Sequence, residues 1–207
     1  MKPILIFDFD GTIADSKGVA VQLFNELAVK FGGREIEEAE IGRLSGLSVP
    51  DRLKALHVPL FKLPALLLEA KRNYKQAAAS LQPADGMKEL LLALKEEGRT
   101  MGILSSNTAE NIRHFLDRHG LDMFDFVHSA TNLFGKDKAI RRMLRARSLQ
   151  ADRIVYVGDE LRDVEACRRA GVKAAAVTWG FDSEELLAGA GPDYVCRTAE
   201  QLAAVLR

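Results

Sequence analysis

Cysteine is scarce in this 207-residue chain: Cys167 and Cys196 are its two examples, far apart and in no CxxC spacing. That pattern excludes a zinc ribbon and a redox dithiol, and two buried free thiols are expected rather than a disulfide. An excess of either charge is also missing. Lysine and arginine total 29, aspartate and glutamate total 29, and the formal net charge is zero. Such a balance gives no reason to expect a nucleic-acid or anionic-membrane partner. No stretch approaches the roughly 18 consecutive apolar residues of a membrane span. The first apolar run is broken by Asp8 and Asp10 before the apolar region of a secretory signal can form. Internal repeats and low-complexity segments are absent too. A cytoplasmic globular protein is expected, monomer or homodimer. With 47% hydrophobic and 28% charged residues, it has room for one medium domain or a domain carrying an insert.

The order of elements carries the first positive signal. Pro3 to Phe9 reads as a short buried strand. From about Ser16 to Leu81 the periodicity is helical throughout. Val19, Leu23, Leu27 and Phe31 share one face, and Gly32-Gly33 stops that helix. Glu35 to Arg43 and Val49 to Leu56 predict two shorter helices, and Leu60 to Ala79 predicts a longer one with Pro64 in its first turns. From Pro83 onward the rhythm alternates. Strands are predicted at Thr100 to Ser105, Phe126 to Ser129, Arg153 to Val157, Lys173 to Thr178 and Asp193 to Val195. Helices separate them at Gly86 to Glu97, Ala109 to His119, Lys136 to Arg147, Glu160 to Ala170 and Ser183 to Ala188, and Ala199 to Leu206 closes the chain. This alternation predicts an α/β fold with a parallel sheet covered on both faces, the helical block being inserted after the first strand.

In such sheets, ligands bind beyond the carboxyl ends of the strands. Polar residues collect at those ends. Asp8 and Asp10 follow the first strand, and Ser105, Ser106 and Asn107 follow the second. Lys136 opens the helix after the third, and Gly158, Asp159 and Asp163 follow the fourth. Converging carboxylates repel one another unless a cation joins them. All-oxygen ligation without nearby histidine or cysteine favours a hard ion, magnesium before calcium or manganese. An aspartate, a hydroxyl, a lysine at a helix start and such an ion suit a phosphoryl group.

These residues resemble the four motifs of the haloacid dehalogenase superfamily, in its phosphoglycolate-phosphatase-like branch with a helical C1 cap. The DxDGT motif stands as Asp8-Phe9-Asp10-Gly11-Thr12. The strand ending in Ser-Asn stands as Gly102 to Asn107. The lone lysine maps to Lys136, with Lys138 as the nearby alternative, and GDxxxD stands as Gly158 to Asp163. The resemblance covers essentially the whole chain and implies a Rossmann-like core of residues 1–15 and 83–207 with a cap of residues 16–82.

It further implies a magnesium-dependent phosphatase acting on a small phosphorylated metabolite, phosphoglycolate by default. Asp8 would be the nucleophile and Asp10 the general acid and base. Ser106, Asn107 and Lys136 would hold the phosphoryl group. Mg²⁺ would be bound by the Asp8 carboxylate, the Asp10 backbone carbonyl and Asp159, with Asp163 acting through water or behind these ligands. A β-phosphoglucomutase-like phosphomutase and a non-catalytic binding protein share these motifs. Glu160, where serine is frequent, has either a metal-site or a helix-capping role. Arg43 and Arg52, in or beside the expected cap loop, are candidates for a substrate carboxylate.

Overall fold

The computed structural model describes residues 2–130 and 135–207. The loop expected between the third strand and Lys136 therefore lies largely outside the described residues. Six strands form one parallel sheet: β1 (Ile4–Phe7), β2 (Met101–Ser105), β3 (Phe126–Ser129), β4 (Ile154–Gly158), β5 (Lys173–Val177) and β6 (Tyr194–Cys196). Their order is β3-β2-β1-β4-β5-β6. The central β1 pairs on one side with β2, Leu5 opposite Met101, and on the other with β4, Ile4 opposite Ile154. The direction of winding reverses at β1, so a crevice opens beyond the ends of β1, β2 and β4.

Alternation along each strand sends side chains to two faces. Leu5, Phe7, Met101, Ile103, Val155 and Val157 enter one core with the helices α5 (Met87–Glu96), α6 (Ala109–His119) and α10 (Ala199–Leu206). Ile6, Leu104, Tyr156, Ala174 and Ala176 enter the other with α7 (Lys136–Ala146), α8 (Leu161–Ala170) and α9 (Glu184–Gly189). Both cysteines are buried free thiols. On β2, Gly102 lets the β3 ring of Phe126 lie against the strand, and a Cβ there would sit 2.3 Å from it.

The helical block contains α1 (Lys17–Ala28), α2 (Ile41–Ser45), α3 (Val49–Ala55) and α4 (Leu63–Ala77). Its apolar residues Leu44, Leu53, Leu56, Val58, Leu63 and Leu66 form a cluster distinct from both sheet cores. The chain enters and leaves it side by side. Asp15 N donates to Gln82 O at 2.9 Å, and Ala84 N donates to Ile13 O at 2.8 Å. None of the described helices is long and apolar enough to cross a membrane.

Two helix expectations change in detail. The segment Glu35 to Arg43 is not one helix but a 3₁₀ turn at Glu38–Glu40 followed by α2. The Glu40 carboxylate turns back to Arg34 and to the Glu37 N–H, which closes a capping box and interrupts the run. Leu60–Lys62 is likewise a 3₁₀ turn, and α4 starts at Leu63 with Pro64 in its first turn, where the missing N–H costs nothing.

Candidate active site

Asp8 follows β1 and stays in register because its N–H donates to Val157 O on β4 at 2.8 Å. Its side chain is buried, and Oδ1 accepts the Phe9 N–H at 2.7 Å. Lys136, the first residue of α7, brings Nζ to 2.5 Å from Asp8 Oδ2 and also contacts Asp163 Oδ1. Burial opposes the lysine's charge, but Asp163 and Asp8 more than offset it, so its pKa lies above the ordinary lysine value. Lys138 is exposed. The geometry therefore joins Lys136 to the nucleophile candidate.

After Phe9 the chain curls. Gly11 takes φ of +74°, and its N–H reaches Ala14 O and the Ser16 hydroxyl, both at 3.0 Å. This turn carries the Asp10 carboxylate into the crevice beside Asp8. Its Oδ1 accepts the Tyr74 hydroxyl at 2.6 Å, and its Oδ2 accepts the Asn107 amide at 2.9 Å. Burial raises the Asp10 pKa, while these two donors pull it down. Asn107, expected beside the phosphoryl group, spends its amide nitrogen on Asp10. Its oxygen accepts the Thr108 N–H and the Asn111 amide. Thr108, rather than Ser106 or Asn107, caps α6. Ser106 lines the same cavity as Asp8 and Asp10. Tyr74 lies 64 residues from Asp10 in sequence, and no local pattern marks it.

The acids after β4 take distinct positions. Asp159 is fully buried; Thr12 Oγ1 donates to its Oδ1 and the Phe181 N–H to its Oδ2, both at 2.8 Å. A Cβ on Gly11 would lie 2.2 Å from this carboxylate, so both the turn and the close approach require glycine. Glu160 and Asp163 form a capping box at the start of α8, and Arg162 Nε donates to Glu160 at 2.7 Å. Glu160 thus caps the helix and also faces the acidic cluster. One carboxylate oxygen from each of Asp8, Glu160 and Asp163 lies within 4.8 Å of the others. The Asp159 carboxylate lies outside that trio, Asp10 is expected to contribute its backbone carbonyl rather than its carboxylate, and Asp163 contacts Lys136 directly.

The donor set fits a hard divalent cation. Three carboxylates, Asp8, Glu160 and Asp163, gather around Lys136 and Arg162 with no histidine or cysteine among them, and buried Asp159 adds its charge to the same three. Burial, with Glu160, Asp163 and Asp8 adding, pushes Asp159 well above the usual carboxylate range. Burial also lifts Asp163 to about 6 against the pull of Lys136. A divalent ion relieves this kind of stress, and oxygen-only ligation suits magnesium.

A cavity of about 310 Å³ stands over the site, with Asp8, Asp10, Ser106 and Asn107 on its core side and α1, α3 and α4 on its cap side. Arg52 lines it, but its guanidinium donates to Asp182 at 2.6 Å and to the Leu44 and Leu47 carbonyls. Arg43 is exposed and paired with Glu40, and it is not part of the cavity wall.

The chain matches a family model described as haloacid dehalogenase-like hydrolase over residues 5–177. It is 36% identical over 199 residues to a phosphoglycolate phosphatase of Synechococcus elongatus, covering 96% of this chain and 94% of the relative. A 5'-nucleotidase of Pseudomonas aeruginosa is 28% identical, with 99% and 95% of the two chains covered. Among solved structures, a predicted phosphatase from Clostridium acetobutylicum superposes with a TM-score of 0.84 at 21% identity, over 100% of this chain and 98% of the other. Family model, full-length relative and fold agree: the chain belongs to the haloacid dehalogenase-like hydrolases.

Proposed function

We propose that this hydrolase is a divalent-metal-dependent phosphatase that releases inorganic phosphate from a small phosphorylated metabolite through an aspartyl-phosphate on Asp8. The observation that carries this reading is the pairing of Asp8 and Asp10 at the floor of one cavity, with Lys136 Nζ 2.5 Å from Asp8. A binding module has no use for a second carboxylate held by two donors next to the first. The names of the two curated relatives support phosphate-ester chemistry, and phosphoglycolate is the reference substrate because one relative carries it in its name.

In the first step an Asp8 carboxylate oxygen forms a bond to phosphorus while the bond to the leaving oxygen breaks. Asp10 delivers the proton that the departing alkoxide needs. Lys136 and the Ser106 hydroxyl hold phosphoryl oxygens, and the lysine keeps Asp8 aligned for attack. In the second step Asp10 takes a proton from water, the water oxygen bonds to phosphorus, and the bond to Asp8 breaks. Phosphate leaves and the carboxylate is restored. Magnesium, the expected ion, would be held by carboxylates of Asp8, Asp159, Glu160 and Asp163 with the Asp10 carbonyl, and when bound it offsets phosphoryl charge. Positioning and electrostatics supply most of the acceleration, as phosphoryl transfer generally requires.

The test is phosphate release from p-nitrophenyl phosphate and phosphoglycolate, with magnesium and with EDTA. Turnover is expected to need the metal and to vanish in Asp8→Asn. In Asp10→Asn it is expected to fall by about 10²–10⁴-fold, the usual worth of a positioned acid–base group. Full activity in Asp8→Asn would sink the proposal.

A further inference from the structure

The chemistry of the cavity wall changes with distance from Asp8. Along α4 the residues facing the space run Leu63, Leu66, Leu67, Ala70, Lys71 and Tyr74. Tyr74 sits on Asp10, so this helical stripe measures distance from the reacting centre. At about 1.5 Å per residue, Leu66 lies roughly 12 Å from Tyr74 along the axis. At that far end Leu63 and Leu66 pack in one cluster with Phe24 and Leu53. A second space of about 170 Å³ lies between α1, α2 and α3; it shares Phe24, Leu53, Arg52 and Phe181 with the first and adds Ile36, Ile41 and Leu56, and its further cation, Lys17, is bonded to the Gly180 carbonyl.

The charged groups on the same wall do not serve the far end. Arg52 is tied to Asp182 and to two carbonyls. Arg162 is tied to Glu160, and Lys71 is one turn from Tyr74, at the Asp10 end of the stripe. A two-carbon hydroxy acid could set its carboxylate near Lys71 at the Asp10 end, but it leaves the leucine-lined space unused. An apolar group fills that space and removes its wall from water.

We propose that the natural substrate is a phosphate monoester whose leaving alcohol carries an apolar body, alkyl or aryl, seated between α1, α3 and α4. This rests on the phosphatase reading above and names the class of ester that the same site prefers. Recognition is then divided. The core side grips the phosphoryl group through charge, and the cap side selects the alcohol by apolar burial.

The test is phosphate release by the magnesium-supplemented enzyme from ethyl, butyl and hexyl phosphate, with phosphoglycolate and p-nitrophenyl phosphate alongside. Each methylene buried in the cavity is expected to raise kcat/KM by about fourfold. Hexyl phosphate is expected to exceed phosphoglycolate. Leu67→Gln, at a partly exposed position of the wall, is expected to reduce the hexyl-to-ethyl ratio by about tenfold or more, because it puts an amide where the chain lies. A flat or falling dependence on chain length, or a preference for phosphoglycolate over hexyl phosphate, overturns the apolar-alcohol assignment while leaving the phosphatase intact. Absence of phosphate release from every ester overturns the phosphatase reading and this assignment with it.

Discussion

Asp10 accepts two hydrogen bonds at once, one from the cap through Tyr74 and one from the core through Asn107. Both oxygens are thereby held as acceptors, the arrangement suited to taking a proton from water in the second step of the proposed reaction. Asn107 moves little because Asn111 and the Thr108 N–H fix its other end. Tyr74 sits on α4 of the inserted helical block, so its bond joins that block to the carboxylate after β1. Removing the hydroxyl in Tyr74→Phe keeps the ring and deletes one charge-assisted bond. Such bonds contribute about 1.5–3 kcal/mol, so kcat is expected to fall about 10- to 100-fold with KM for the phosphate ester little changed. The same substitution in an Asp10→Asn background is expected to cost far less, since the carboxylate it served is gone. Equal losses in both backgrounds would show that Tyr74 acts by some other route.

Among the elements, those closed by local chemistry were legible in the sequence. Helix α6 runs over the predicted Ala109–His119 because Thr108 caps its start and Gly120 takes the left-handed conformation at its end. Strand β3 likewise occupies the predicted Phe126–Ser129. What could not be read depends on which side chains meet, at short range in one case and across the fold in the others. The break at Glu38–Glu40 follows from Arg34 and Glu37 gathering the Glu40 carboxylate. The Tyr74–Asp10 contact and the Arg52–Asp182 pair, 64 and 130 residues apart, leave no periodic trace. The placement of the candidates Asp8, Asp10 and Asp159 was legible because they closely follow strand ends, where parallel sheets collect their ligands, and Lys136 and Asp163 because they stand in the first turn of the helices after β3 and β4. The close packing of β2 on β3 was also hidden, since Gly102 reads as an ordinary weak strand residue until Phe126 is seen against it. Gly102→Ala places a methyl 2.3 Å from that ring. Overpacking of this kind costs about 1–3 kcal/mol, and in a chain of this size each kcal/mol lowers Tm by about 2–4 °C. Phe126→Leu in the same chain is expected to recover part of the loss in a thermal melt. A Tm unchanged by Gly102→Ala would show that β3 yields freely.

For the whole molecule, the question is what holds the helical block over the sheet. One segment after β5 carries much of the connection. Lys17 Nζ donates to Gly180 O at 3.0 Å, the Ser183 N–H donates to Ser45 O at 2.9 Å, and Arg52 donates to Asp182 Oδ1 at 2.6 Å. The other Asp182 oxygen accepts the Leu161 N–H at the start of α8. One carboxylate thus ties the block, through α3, to the helix that bears Glu160 and Asp163. Asp182 is 2% exposed while the Arg52 side chain is 18% exposed, so the pair is largely desolvated and its members are not independent. Burial raises the Asp182 pKa and Arg52 counters it, which means that removing the guanidinium leaves a buried charge with one backbone donor. Arg52→Met alone is therefore expected to destabilise by about 3 kcal/mol, and Asp182→Asn by less, because the amide still accepts from Leu161. In urea denaturation the double variant is expected to be less damaged than the sum of the singles, with a coupling of about 1–3 kcal/mol. Strict additivity would assign the closure to the two backbone-mediated contacts. A measured coupling would mean that the carboxylate steadying the start of α8 is the same one that holds α3, so that weakening the hold on the helical block also loosens Glu160 and Asp163.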